Sequence, residues 1–316
     1  MRKAFTRAIA CLAALLILSS AAKAQTAQPQ QPNPPNSPNS QGSLWRYDGH
    51  NRIAGSGGPA PVHDLSGSWA GPRSGAGVPD SKAADVPSMT PLGQKRFSEH
   101  KTLQKFEPAG TNDPVVRTCD PLGFPRADNY SIMEMAFATM ADRIVVLYPF
   151  QQQWREVWMD GRALPKNVGS PETGANIGAP EKDANMGSPE KGAPGVWDKT
   201  EDPRYYGISV GHWEADNVLV VDTTGLDEST WLNELGYPHS IDAHVQERFT
   251  RTDHNDLQLT LTIDDPKLYT KPFSLGTEYF KWVPNQMLEE RLCVPSEVIE
   301  YLKAVGDPAG SAASSR

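Results

Sequence analysis

From residue 129 to residue 293 the chain is cut into short runs of alternating apolar and polar residues, none long enough for a helix of three turns. In order they are SIMEMAFAT, RIVVLYPF, QQWREVWM, YGISVGHWE, NVLVVDT, AHVQERFTR, DLQLTLTI, SLGTEYFKW and QMLEERLC. Period-two alternation marks strands with one face in a core. Turn-forming residues fall between them at 140–142, 160–162, 215–217 and 252–255. Eight or nine consecutive strands with short connections predict a single antiparallel up-and-down β-barrel, because closure removes the exposed edges of an open sheet. DLSGSW at 64–69 adds a first strand. One or two short helices complete the fold. One spans 89–97, with Thr90 as N-cap and Pro91 in the first turn, and the other is SEVIEYLKAVGD near the C-terminus.

The flanking segments are of other kinds. Residues 1–24 combine Arg2, Lys3 and Arg7, a short apolar core and Ala22-Lys23-Ala24, the pattern of a cleaved secretory signal peptide. No other apolar run approaches the length of a membrane span. Removing the leader takes away four basic residues and no acids, leaving 26 basic against 38 acidic residues and a net charge of −12. An acidic surface excludes nucleic acid as a partner, which needs a cationic face. Residues 25–42 read as a disordered Pro/Gln/Asn-rich linker, 43–303 as the barrel domain and 304–316 as a disordered tail. Within the domain, 167–194 carry three copies of a nine-residue Asn-x-Gly-x-Pro-Glu-x-x-Ala unit, too polar to bury a core. That segment is expected to be a loop insertion, with a lid over the barrel mouth as the alternative.

Of three cysteines, Cys11 leaves with the leader. Cys119 and Cys293 remain, and in an oxidising periplasmic or extracellular compartment a disulfide between them is expected.

The ionisable residues gather between 206 and 266. On the strand HVQERF, Val245, Glu247 and Phe249 share one face. If that face is inward, Glu247 is buried and needs a partner, with Arg162, Arg248, Arg251 and His212 as candidates. It then fixes strand register, anchors a ligand, or acts as a catalytic acid or base. Trp231 and Tyr237 are candidates for the mouth of an apolar ligand cavity. His239 and His244, with Asp242 or Glu247, would form an acid–base or metal site only if a loop brought them together, since five-residue strand spacing puts the rings on opposite faces. Ser240 lacks a nucleophile elbow. No phosphate loop, dinucleotide fingerprint or CxxC pair is present, so no cofactor is expected. The function expected is binding of a small hydrophobic or aromatic molecule. The alternatives are a small-molecule hydrolase or isomerase using His239, His244 and Glu247, and a structural envelope-associated protein. The residues leave the oligomeric state open.

Two resemblances add to this. DLSGSW, TPLGQKRF, CDPLGFPR, WMDGR, YGISVGHWEADNVLVVDTTGL, TWLNELGYPHS, HVQERFTR and TIDDPKLYTKPF, in this order, resemble an uncharacterised family of secreted bacterial proteins over about residues 62–295. That resemblance implies domain boundaries and brings no reaction. The repeat departs from the family, whose members cross directly between the flanking strands. Gly67-Ser68-Trp69 is similar to the G-x-W that opens lipocalin-type barrels, which implies a fold that binds small apolar ligands.

Overall fold

A computed structural model describes residues 56–74, 87–103, 110–130, 134–166, 168–169, 197, 201–284 and 286–307. The segments expected to be leader, linker and the end of the tail, and nearly all of the repeat, lie outside them.

Nine strands close into one barrel: β1 Gly67–Ser74, β2 Glu134–Thr139, β3 Arg143–Tyr148, β4 Gln153–Trp158, β5 Ile208–Ala215, β6 Val218–Thr224, β7 His244–Arg251, β8 Asp256–Asp264 and β9 Phe273–Trp282. Each strand pairs with its neighbours in sequence, and β9 returns to β1 through Trp69↔Trp282 and Ser74↔Glu278. The helices are short: α1 Pro91–Glu99, α2 Pro114–Arg117, α3 Arg126–Asn129 and α4 Pro295–Tyr301, the last continuing as a π-type turn, Leu302–Gly306. α1 starts as its sequence dictates, with the Thr90 side chain accepting from the Gly93 amide at 3.1 Å and Pro91 at the first position.

Two departures from the sequence reading share one cause, the closure itself. A closed ring of nine strands cannot alternate direction throughout, so at least one junction must be parallel. That junction is β4–β5, paired through Val157↔Ser209 and Trp158↔Val210. Parallel neighbours need a crossover rather than a hairpin. The repeat therefore falls in the β4–β5 connection, which joins the end of one strand to the start of its parallel neighbour. The second departure is QMLEERLC, which is not a strand. With β9 bonded to β1 no edge is free to receive it, and its ladder contact is an isolated bridge between Arg291 and Phe150.

Register divides the barrel into two unlike ends. At one end lie the tight connections at 140–142, 216–217 and 252–255. The opposite end is covered by α1 to α3, the β6–β7 connection and the β8–β9 connection; Thr90 N donates to the Leu268 carbonyl of the β8–β9 connection, and Phe124 N to the Tyr205 carbonyl just before β5. We call this the cap. Inward-facing residues of the wall and apolar residues of the cap form one continuous core, including Trp69, Phe137, Val146, Val221, Phe249, Leu259 and Leu261 from the wall and Leu122, Phe124, Leu232 and Tyr269 from the cap.

Cys119 and Cys293 are bonded, with Cα atoms 5.5 Å apart. The disulfide joins the cap to the C-terminal segment over the β3–β4 hairpin. There Gln151 donates from Nε2 to the Cys119 carbonyl at 2.9 Å, and its backbone N–H donates to the Arg291 carbonyl at 2.7 Å. The bridge closes a separation of 174 residues, for which chain entropy gives about 5 kcal/mol. The Cys119→Ser/Cys293→Ser protein should lose stability approaching that amount in urea unfolding while keeping its far-ultraviolet β signature. Unchanged stability would mean the bridge constrains nothing.

Candidate functional site

β7 carries its side chains as alternation requires, with Val245, Glu247, Phe249 and Arg251 buried and His244, Gln246 and Arg248 outside. Glu247 is 0% exposed. Its partner is none of the four expected candidates but Arg155 of β4, whose Nη2 donates to Glu247 Oε1. The same Nη2 donates to Asp128 Oδ2 at 3.3 Å, reaching from the wall to α3 of the cap. Arg155 Nε donates to the Tyr148 hydroxyl at 2.9 Å, and that hydroxyl donates to Asp128 Oδ1 at 2.6 Å. Nη1 approaches Ser209 Oγ at 3.5 Å, and Ser209 shares a 2.8 Å hydroxyl contact with Thr223. Phe124 lies 4.2 Å from the guanidinium carbon, and Tyr206 stacks on Tyr148 at 5.3 Å.

Two carboxyls thus share one guanidinium in a water-excluded interior. Burial pushes the Glu247 carboxyl well above its ordinary range, Arg155 opposes this, and the nearby Asp128 pushes it further up. A proton on Glu247 balances the group at one positive and one negative charge. It also accounts for Oε2, which no donor reaches. A hydroxyl there can donate to Asp128 while Oε1 accepts from Arg155.

A second carboxyl faces the interior alone. Glu278 of β9 is 4% exposed, and its Oε2 has no hydrogen-bond partner. Desolvation pushes it up to about 7. The Tyr206 hydroxyl is likewise buried without a partner.

The remaining expected site residues are spread over three places. Trp231, Tyr237 and His239 lie in the cap. Trp231 stacks on His100 at 4.4 Å, and Tyr237 meets Phe97 edge-on at 5.5 Å. His239 is buried, with Nε2 2.8 Å from the Thr230 hydroxyl and Nδ1 3.3 Å from the Ser240 carbonyl. Ser240 bonds Asp265, at 2.9 Å from its hydroxyl, rather than the histidine. On the outer wall, His244 reaches Asp222 at 3.0 Å, and His212 belongs to the outward face of β5 with Glu214. Asp242 pairs with Lys267. Arg162 lies outside the barrel. It pairs with Asp160 at 2.7 Å and stacks 3.6 Å over Trp158, whose other face Arg143 covers at the same distance. His239, His244 and Glu247 therefore occupy cap, outer wall and interior and do not converge. No group of three or more His, Cys, Asp or Glu able to hold a metal occurs among the described residues.

Arg155, Tyr148, Asp128 and Glu278 are additions that sequence reasoning missed. Strand parity could have found three of them: Arg155 alternates with Val157, Tyr148 with Val146 and Glu278 with Phe280. The large aromatics of β4 disguise its parity, since Trp154 is 62% exposed. Asp128 comes from an irregular connection and carries no such signal.

Comparison with known proteins found no matching family, no matching curated protein and no matching solved structure.

Two outcomes follow from these protonation equilibria. In histidine NMR titrations, His239 should titrate below the ordinary range because burial disfavours its cation, and His244 above it because Asp222 stabilises the cation. The reverse order would contradict the placements. For Glu278, a raised folded-state value means full stability at low pH and loss as pH rises from about 4.5 towards about 7. Glu278→Gln should match the wild type near pH 5 and exceed it near pH 8, by on the order of 1–3 kcal/mol in urea unfolding. Equal stabilities at both pH values would refute a buried, unpaired carboxyl.

Proposed function

We propose that this chain is a periplasmic or secreted β-barrel protein that binds a small hydrophobic or aromatic molecule inside the barrel, beneath the cap. The observation that carries the reading is two interior polar atoms without hydrogen-bond partners: Glu278 Oε2, whose sheet neighbours on β8 are Leu257, Leu259 and Leu261, and the Tyr206 hydroxyl, beside the Asp128–Arg155 group. Small-molecule sites are built this way, from apolar surface with a few polar groups that fix orientation. An unmet buried polar group also costs free energy that a ligand can recover.

The compartment is supported by the Cys119–Cys293 disulfide, which persists under oxidising conditions, and by the N-terminal leader pattern. The resemblance of its ordered blocks to a secreted bacterial family points the same way. In this reading Glu247 and Arg155 are a support for the site rather than its anchor, since each already engages the other.

Titration of the mature protein with the neutral apolar probe N-phenyl-1-naphthylamine tests the reading. Saturable one-to-one binding is expected, together with stabilisation of about 3 kcal/mol at a hundredfold excess over Kd. No saturable signal, and no small molecule in native mass spectra of protein purified from its own host, would overturn it.

A further inference from the structure

The barrel interior also indicates which kind of molecule it takes. Among the described residues six carboxyls are buried: Asp113, Asp128, Glu134, Glu247, Asp265 and Glu278. Asp113 holds Arg126 in a two-pronged pair at 2.9 and 2.6 Å. Asp128 and Glu247 share Arg155. Glu134 accepts from Gln286 and from the Glu289 amide. Asp265 accepts from the amide and hydroxyl of Ser240. Glu278 alone has no such partner, and no ion pair reaches it.

Its direction is fixed by its neighbours in the sheet. Thr277 meets Thr260 hydroxyl to hydroxyl at 3.1 Å on the outer surface, so Gly276 and Glu278 point inward. Their cross-strand partners are the buried Leu261 and Leu259. A Cβ at the half-buried Gly276 would meet nothing within 4 Å among the described residues, so open space lies beside it. The described inward side chains next to it are apolar: Leu257, Leu259 and Leu261 from β8 and Phe280 from β9. From β1 the backbone of Ser74 pairs with it. Among the described side chains, the charged groups of the inner wall nearest in the sheet on the β8 side are Glu247 and Arg251 of β7, two strands away, at about 10 Å by strand spacing. Both are engaged, Glu247 by Arg155 and Arg251 by the carbonyls of His254 and Asp64.

We propose that Glu278 anchors a small apolar molecule bearing one cationic amine, whose body lies against Leu259 and Leu261 in the space beside Gly276. An ammonium supplies the donors and the counter-charge that the carboxylate lacks, and an ionised buried carboxylate is otherwise costly. The chain's net charge of −8 also favours entry of a cation over an anion. This inference rests on the ligand-binding reading and narrows it to a chemical class. Because Glu278 titrates near neutrality, amine affinity should rise with pH while affinity for neutral molecules should not.

The test uses the mature chain and three near-isosteres, 2-phenylethylamine, 2-phenylethanol and phenylacetate, each titrated calorimetrically at pH 6 and pH 8. The expected result is preference for the amine, with affinity about tenfold higher at pH 8 as the carboxyl ionises. Glu278→Gln should abolish that preference and its pH dependence while keeping 2-phenylethanol binding. Asp128 and Glu247 are interior carboxyls too, so a pH dependence that survives Glu278→Gln overturns the assignment to Glu278. Binding of 2-phenylethanol as tightly as the amine in the wild type overturns the amine class and leaves the barrel reading standing. If none of the three binds at either pH, both fail. The wild-type pH dependence requires no variant to fold.

Discussion

Arg155 is the point at which the wall and the cap of this barrel meet. Its guanidinium bonds Glu247 on β7 and Asp128 and Tyr148 on opposite sides of the cap boundary. A guanidinium suits this position because its planar fork serves several acceptors at once. Burying it is expensive, and the cost is met only when its acceptors are all in place. The cap is therefore not free to drift. If α3 moved, Asp128 would leave, and Arg155 would face Glu247 alone in a medium that stabilises neither.

Ring closure is the second constraint, and it acts on topology rather than energy. An odd number of strands forces a parallel junction, and β4–β5 carries it with only two paired positions. The crossover this demands runs over 159–207, which also receives the nine-residue repeat. Arg162, Trp158 and Trp197 fasten the described parts of that crossover to the outer face of β4. The longest sequence irregularity thus sits where the fold already requires a long connection.

Much of the fold is legible in the sequence because strands announce themselves through alternation and turn residues. Eight of the nine runs read as strands after residue 129 are strands, and α1 begins at its predicted cap. The interior placement of Glu247 follows from the same parity. What parity alone does not supply is the partner across the barrel, since it says that Arg155 and Glu247 point inward and not that they meet. At β4 the large Trp154 and Trp158 lie on the outward side while Arg155 takes the buried side with Val157, so hydrophobicity there points against the parity. Asp128 depends wholly on how the cap folds back. The histidines gathered at 239 and 244 are neighbours in sequence and strangers in space, one satisfied by Thr230 and the other by Asp222.

These constraints divide the interior into a satisfied polar centre and an unsatisfied carboxyl beside Gly276, and the functional proposal depends on keeping the two apart. Its physical core is that the Asp128–Arg155–Glu247 group holds a proton on Glu247 and is complete without a ligand. Urea unfolding of Glu247→Gln beside Arg155→Met at pH 7 addresses this directly. Gln reproduces a protonated carboxyl, so Glu247→Gln should change stability by less than about 1 kcal/mol. Arg155→Met strands a buried carboxylate and should cost about 3–5 kcal/mol. If Glu247→Gln costs as much as Arg155→Met, Glu247 is ionised in the folded protein and the account of its interior is wrong.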